Sequence, residues 1–105
     1  MKMLELLNTN MTSLIEKKEK LEEILAEMKD LELNARWYVS TASENGKKLF
    51  KNDLEREVNK DRMLSSMVSY QELLSESKKY FKDISLLERD ITILKYRLDF
   101  KLKGD

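Results

Sequence analysis

Apolar residues return at alternating steps of three and four along two long segments of this chain, and no proline interrupts either segment. Such spacing keeps side chains on one face of an α-helix and is typical of a coiled-coil seam. The first segment predicts a helix over about residues 2–40. Its seam positions are Leu4, Leu7, Met11, Leu14, Lys18, Leu21, Leu25, Met28, Glu32, Ala35 and Val39. The polar run 8–13 and the capping-box pattern of Ser13 and Glu16 leave open a later start at Leu14. We favour one continuous helix because the spacing carries through.

The second segment predicts another long helix over about residues 69–102. Its seam positions are Tyr70, Leu73, Ser77, Tyr80, Ile84, Leu87, Ile91, Leu94, Leu98 and Lys101. Ser69 and Glu72 form a capping-box pattern at its start. From Ile91 to Leu102 the apolar residues also nearly alternate, as in a strand. A strand needs a partner, and no other segment offers one, so helix is favoured.

The stretch between the two segments, residues 41–52, predicts a turn. Ser43-Glu44-Asn45-Gly46 has turn composition, and Asn52-Asp53-Leu54-Glu55 has the form of a helix N-cap. A short helix over about 53–64 is expected, with Leu54 and Val58 as a weak apolar stripe.

Together these elements predict one all-α domain over residues 1–105. The two long helices are expected to fold back as an antiparallel helical hairpin or coiled coil, with the short helix between them. In that arrangement Leu7 faces Leu98, and Leu14 faces Ile91. The polar seam positions Lys18, Glu32 and Ser77 are expected to fix the register.

Composition excludes several kinds of chemistry. The chain has no His and no Cys, and its 20 basic and 20 acidic residues cancel. A common structural zinc site, a disulfide, a thiol nucleophile and a His-based triad are therefore all impossible. We expect no enzyme activity, no cofactor and no metal. The acidic residue Glu5 and the absence of a long uncharged stretch argue against a signal peptide or membrane span, so we expect a cytoplasmic protein.

The open end of the predicted hairpin, where the first residues of one long helix meet the last residues of the other, carries more apolar residues than one seam requires. Leu86, Ile93 and Phe100, at steps of seven, belong with Leu6 to part of a second stripe. Exposed apolar patches of this size are rare on monomers, so we expect a homodimer that forms a four-helix bundle. The helix of another protein is an alternative occupant. The predicted interface residues are Leu4, Leu7, Ile93, Leu94, Tyr96, Phe100 and Leu102.

Two basic clusters contain aromatic residues and are candidate contacts to nucleic-acid phosphates. Their cations are Lys47, Lys48, Lys51, Arg97, Lys101 and Lys103. Acidic neighbours dilute both clusters, and a net charge of zero gives no general attraction for nucleic acid. Trp37 and Tyr38 are expected to pack near the turn on Leu49, Phe50 or Met67; the alternative is that they anchor a ligand or a partner.

The run Glu44–Asn52, followed by Arg56, Arg62 and Tyr70-Gln71-Glu72, resembles small uncharacterised helical-hairpin proteins of bacterial phages and mobile elements. The resemblance covers about residues 44–103 and implies a helical fold. It also implies a role beside DNA replication or recombination proteins, or as an inhibitor of a host factor.

The function that the sequence favours is therefore a non-catalytic protein–protein interaction or assembly module that acts through coiled-coil self-association. The alternative is a DNA-associated accessory protein that uses the basic clusters.

Overall fold

The computed structural model describes residues 2–103, with the backbone alone at Lys103. The elements in chain order are helix α1 (Lys2–Thr41), strands β1 (Ser43–Glu44) and β2 (Lys47–Lys48), and helices α2 (Asp53–Ser66) and α3 (Val68–Lys103). The all-α prediction is confirmed, with a long helix in each half of the chain. Helix α1 runs unbroken through residues 8–13, and α3 stays helical through residues 91–102, where a strand was the alternative.

The chain divides into two compact units. The first, which we call the terminal unit, consists of Met1–Glu23 and Ser77–Asp105. The second, the turn unit, consists of Ile24–Glu76. The single domain that the chain length suggests stays a prediction.

In the terminal unit, the first part of α1 packs antiparallel against the second part of α3. Leu7 shares a buried cluster with Ile91 and Leu94, whereas Lys17, further along α1, pairs with Asp83 at 3.3 Å. Partners on α3 thus have lower numbers as α1 advances. Met3, Leu14 and Leu98 complete the cluster, so the predicted neighbours Leu7 and Leu98, and Leu14 and Ile91, lie in one core.

The buried side of α1 is displaced from the predicted seam. The seam prediction is wrong at four of its eleven positions, which are exposed: Leu4, Met11, Lys18 and Leu25. Ile24 is buried instead of Leu25, and Lys17 is half-buried instead of Lys18. The Lys17 ammonium lies 5.6 Å from the Tyr80 ring centroid and pairs with Asp83, so the charged end is satisfied while its hydrocarbon stem packs inward.

The seam of α3 follows the prediction from Tyr70 to Leu98, where all its positions are buried or half-buried. Lys101 is exposed, which corrects the last seam position. Ser69 is not the cap, because α3 begins one residue earlier, at Val68. Met67 alone separates α3 from α2, in extended conformation with φ −85° and ψ 110°.

The predicted turn forms a β-hairpin in the turn unit. Ser43 pairs with Lys48 and Glu44 with Lys47, and the two loop residues Asn45 and Gly46 both have positive φ, at 53° and 77°. Two positive φ values match the right-handed twist of the flanking strands and favour the Asn-Gly sequence found here.

Helix α2 begins where its N-cap was predicted. The Asn52 side chain accepts a hydrogen bond from the Glu55 amide at 2.8 Å, and the Glu55 carboxylate accepts one from the Lys51 amide at 2.9 Å. The stripe prediction for α2 is wrong, because Leu54 and Val58 are exposed. The buried residues of this helix are Lys60 and Leu64.

Candidate interaction surface

The predicted interface residues separate into two groups in the structure. Leu7 and Leu94 are buried in the core of the terminal unit, so their side chains hold α1 and α3 together. The other five residues are exposed: Leu4, Ile93, Tyr96, Phe100 and Leu102. Only this second group is free to contact another molecule.

An apolar stripe runs along the side of α3 that faces away from α1. We call it the outer stripe, and it consists of Leu86, Ile93 and Phe100. Residues two apart on a helix lie about 200° apart, so Ile93 points away from the core that Ile91 fills. Accordingly, Ile91 is 6% exposed, whereas Ile93 is 41% and Phe100 72% exposed.

The outer stripe lies straight along the helix. Steps of seven residues advance about 700°, only 20° short of two full turns, so Leu86, Ile93 and Phe100 form one line. Leu86 is missing from the predicted interface, although the seven-residue spacing signalled it. Leu6, expected to share this stripe, belongs to α1 and is also exposed.

Charged and aromatic residues flank the outer stripe on both sides. Asp90 and Arg97, seven residues apart, follow one side, and Arg89 and Tyr96, also seven apart, follow the other. Arg89 and Asp90 lie 3.5 Å apart in one weak ion pair. Within residues 2–103, Arg97 has no carboxylate within 4.0 Å, so its guanidinium is available to a partner.

The basic residues proposed as phosphate contacts are exposed where the structure describes them. Lys47 and Lys48 form β2, and Lys51 precedes the N-cap of α2, all in the turn unit. Arg97 and Lys101 belong to the terminal unit. The side chain of Lys103 lies outside the described residues. Glu44 is the cross-strand neighbour of Lys47, which lowers the local positive charge.

The packing prediction for the aromatic pair near the turn is wrong for Trp37, which is 69% exposed. Tyr38 is exposed as well. Trp37 and Leu33, one helical turn apart and both exposed, form a small apolar pair on α1.

Sequence reasoning missed a charged cleft in the turn unit, with a volume of about 230 Å³. Lys60 lies at its base, 8% exposed, and its ammonium is 2.6 Å from the Glu57 carboxylate. The hydrogen bond from Lys60 lowers the pKa of Glu57 below its usual value. Arg56 is held by Asp53 at 2.6 Å and donates to the Phe50 carbonyl at 3.2 Å. Arg56 and Lys60 are each paired with a carboxylate, so the contacts around this cleft stabilise helix α2.

Within the described part of the chain, acidic residues form no group of three or more that is arranged to hold a metal ion. None of the helices described here is long and apolar enough to cross a bilayer.

Comparison with known proteins adds no relative. No protein-family model matches the chain, and neither the search of curated proteins nor the search of solved structures finds a match.

Proposed function

We propose that this chain is a non-catalytic assembly module whose terminal unit pairs with a second copy, which brings four long helices together. The observation that carries the proposal is the outer stripe. Leu86, Ile93 and Phe100 form an apolar line that stays partly exposed, at 41%, 41% and 72%, in the described part of the chain.

Covering this line is energetically favourable. Burying a large apolar side chain contributes about 1.5–3 kcal/mol when it goes from full exposure to full burial. Side chains already half-covered gain less, and association costs several kcal/mol of rotational and translational freedom. The three stripe residues and the adjacent Tyr96 therefore support a dimer with a dissociation constant on the order of micromolar.

The test is light scattering coupled to size exclusion, run across protein concentrations and at low and high salt. We expect a dimer that dissociates on dilution and resists salt. Ile93→Asp with Phe100→Asp should yield a monomer with an unchanged helical circular dichroism spectrum, because neither side chain belongs to the core.

Ile15→Asp is the matched control. Ile15 is also an exposed isoleucine of the terminal unit, but it lies on α1 and outside the outer stripe. Its substitution should leave the dimer intact. A wild-type monomer at every concentration, or a dimer that survives the double substitution, would contradict the proposal.

A DNA-associated accessory role is the second candidate. The observation in its favour is that Lys47, Lys48 and Lys51 are exposed and have no carboxylate within 4.0 Å in the described chain. Lys47→Glu with Lys48→Glu should abolish retention of a labelled duplex in a mobility assay at low salt. Retention that persists in this variant, or that does not weaken as salt is raised, would remove the candidate.

A further inference from the structure

We infer that the second copy docks antiparallel on the outer stripe, α3 against α3, about a twofold axis that passes beside Ile93. The inference rests on the proposed self-association and names the surface and orientation of the partner. It is carried by the order of residues along the stripe and by the charges that flank it.

The apolar line is symmetric about its centre. Leu86 and Phe100 each lie seven residues from Ile93, or about 10.5 Å along the helix. In an antiparallel pair centred there, Ile93 meets Ile93 of the second copy, and Leu86 meets the second copy's Phe100. The same patch thus faces itself, as a twofold interface requires.

The flanking residues complement one another in this orientation. In an antiparallel pair of helices, the same flank of both copies lies on the same side of the interface. Asp90 therefore meets Arg97 of the second copy, and twofold symmetry repeats the pair. On the other flank, Arg89 meets the ring of the second copy's Tyr96, a cation–π arrangement. Arg97, which has no carboxylate within 4.0 Å among the described residues, gains one.

A parallel pair complements these charges less well. In that orientation opposite flanks meet, so Asp90 would face Arg89 of the second copy, which already has a carboxylate partner in Asp90 of its own chain at 3.5 Å. Arg97 would then face the ring of Tyr96 instead of a carboxylate, so only the antiparallel pair gives Arg97 an ion-pair partner. Charge thus selects between two orientations that the apolar line alone would allow.

The docking side also decides how the helices would be arranged in the terminal units. The outer stripe faces away from the core, so each α1 segment would lie on the far side of its own α3. The helices would form a row with the two α3 segments at the centre.

Single cysteines test the orientation, because the chain has no cysteine of its own. Ile93→Cys should form a disulfide-linked dimer under mild oxidation. Leu86→Cys alone and Phe100→Cys alone should not, since identical positions would lie about 21 Å apart along the axis, far beyond disulfide reach. A mixture of these two variants should cross-link.

Thr92→Cys is the matched control, because Thr92 is exposed at the same level of α3 but on a different face. This variant should stay monomeric on the gel. Self-cross-linking of both Leu86→Cys and Phe100→Cys would show a parallel pair and overturn the inference. A scattering-confirmed dimer in which Ile93→Cys cross-links no better than Thr92→Cys would also overturn it, while leaving the proposed assembly standing.

Charge exchange gives a second readout. Asp90→Arg should weaken the dimer several-fold by placing two arginines together, and adding Arg97→Asp should restore it. Failure of the second substitution to restore affinity would overturn the assigned pairing.

Discussion

The phenol of Tyr70 on α3 donates a hydrogen bond to the carboxylate of Glu32 on α1, with 2.6 Å between the oxygens. The contact lies within the turn unit and joins two helices that are 38 residues apart in sequence. Glu32 is one of the polar seam positions, and this bond explains how a carboxylate is accommodated beside a packed helix. Ionised Tyr70 would place a second negative charge beside Glu32, so the hydrogen bond raises the pKa of Tyr70 to about 12.

This pair predicts a loss of stability at high pH. The pKa of Tyr70 is raised in the folded state, so its contribution is complete below the unfolded value of 10.0 and is lost as pH rises toward about 12. Tyr70→Phe should lower the free energy of unfolding by about 1 kcal/mol at neutral pH. A tyrosinate absorbance titration of the wild type should show one late phenol that is missing from the variant. Wild-type and variant curves that lack this difference would refute the assignment.

Removing the charge of Lys60 is expected to lower the free energy of unfolding less than reversing it. Lys60→Met keeps the packed stem and leaves Glu57 free to hydrate, so the free energy of unfolding should change by less than about 1 kcal/mol. Lys60→Glu places a third carboxylate beside Glu57 and Asp61 in a buried position and should cost about 3 kcal/mol. Urea unfolding measures both changes. The exposed Lys29 provides the control, since Lys29→Glu should have little effect.

The ion pair between Lys60 and Glu57 gives a prediction at low pH. The pKa of Glu57 is lowered in the folded state, so the stability from the pair is present above the unfolded value of 4.5 and is lost as pH falls. The difference in unfolding free energy between wild type and Lys60→Met should therefore move in favour of the variant in acid. A constant difference from neutral pH into acid would argue against the ion pair.

Replacing Gly46 is expected to strain the backbone without causing a steric clash. Its φ is +77°, and a Cβ added there would meet no atom within 4 Å. Gly46→Ala should destabilise the hairpin by about 1 kcal/mol through strain alone, and Gly46→Asn by less, because Asn tolerates positive φ. Hydrogen exchange of the Leu49 amide, which donates to the Ala42 carbonyl at 2.9 Å, reports the change. Equal protection in wild type and Gly46→Ala would show that the hairpin does not depend on this conformation.

Trp37 is the one tryptophan of the chain, and its exposure predicts a simple optical signature. Its emission should resemble that of an indole in water and be quenched readily by acrylamide. Trp37→Ser should change the free energy of unfolding by less than about 0.5 kcal/mol. A blue-shifted, protected emission would mean that another surface covers this side chain in solution.

The local structure could be predicted because its causes are local. Asn52 caps α2 through the Glu55 amide three residues away, and the Asn45-Gly46 pair supplies the two positive φ values of the hairpin. Both depend on the conformational preferences of a few adjacent residues. The cap pattern at Ser69 failed, because Met67 already interrupts the helix and the Gln71 side chain donates to the Leu64 carbonyl there.

For the candidate site, the seven-residue spacing of Leu86, Ile93 and Phe100 predicted a second apolar stripe, and these three side chains are exposed in the structure. The predicted interface nevertheless included Leu7 and Leu94, which fill the core. Apolar character alone does not distinguish a side chain that meets its own partner helix from one that meets a second molecule.

By itself, the sequence determined that the chain is helical, where α2 begins, and which face of α3 is buried between Tyr70 and Leu98. Only the tertiary structure decided which flank of α1 turns inward. Leu25 and Ile24 are equally apolar. Leu7, Leu14 and Leu21 pack inward whichever of these two neighbours is covered, because a helix of 3.6 residues per turn places Ile24 and Leu25 on opposite sides of that line. The structure packs the flank that carries Lys17 and Ile24 inward and leaves the flank that carries Lys18 and Leu25 in solvent. Charge does not separate the two flanks, because Lys17 pairs with Asp83 at 3.3 Å and Lys18 with Glu88 at 3.4 Å. The choice depends on which flank the side chains of the packed helix cover, and the spacing along α1 alone does not contain that information.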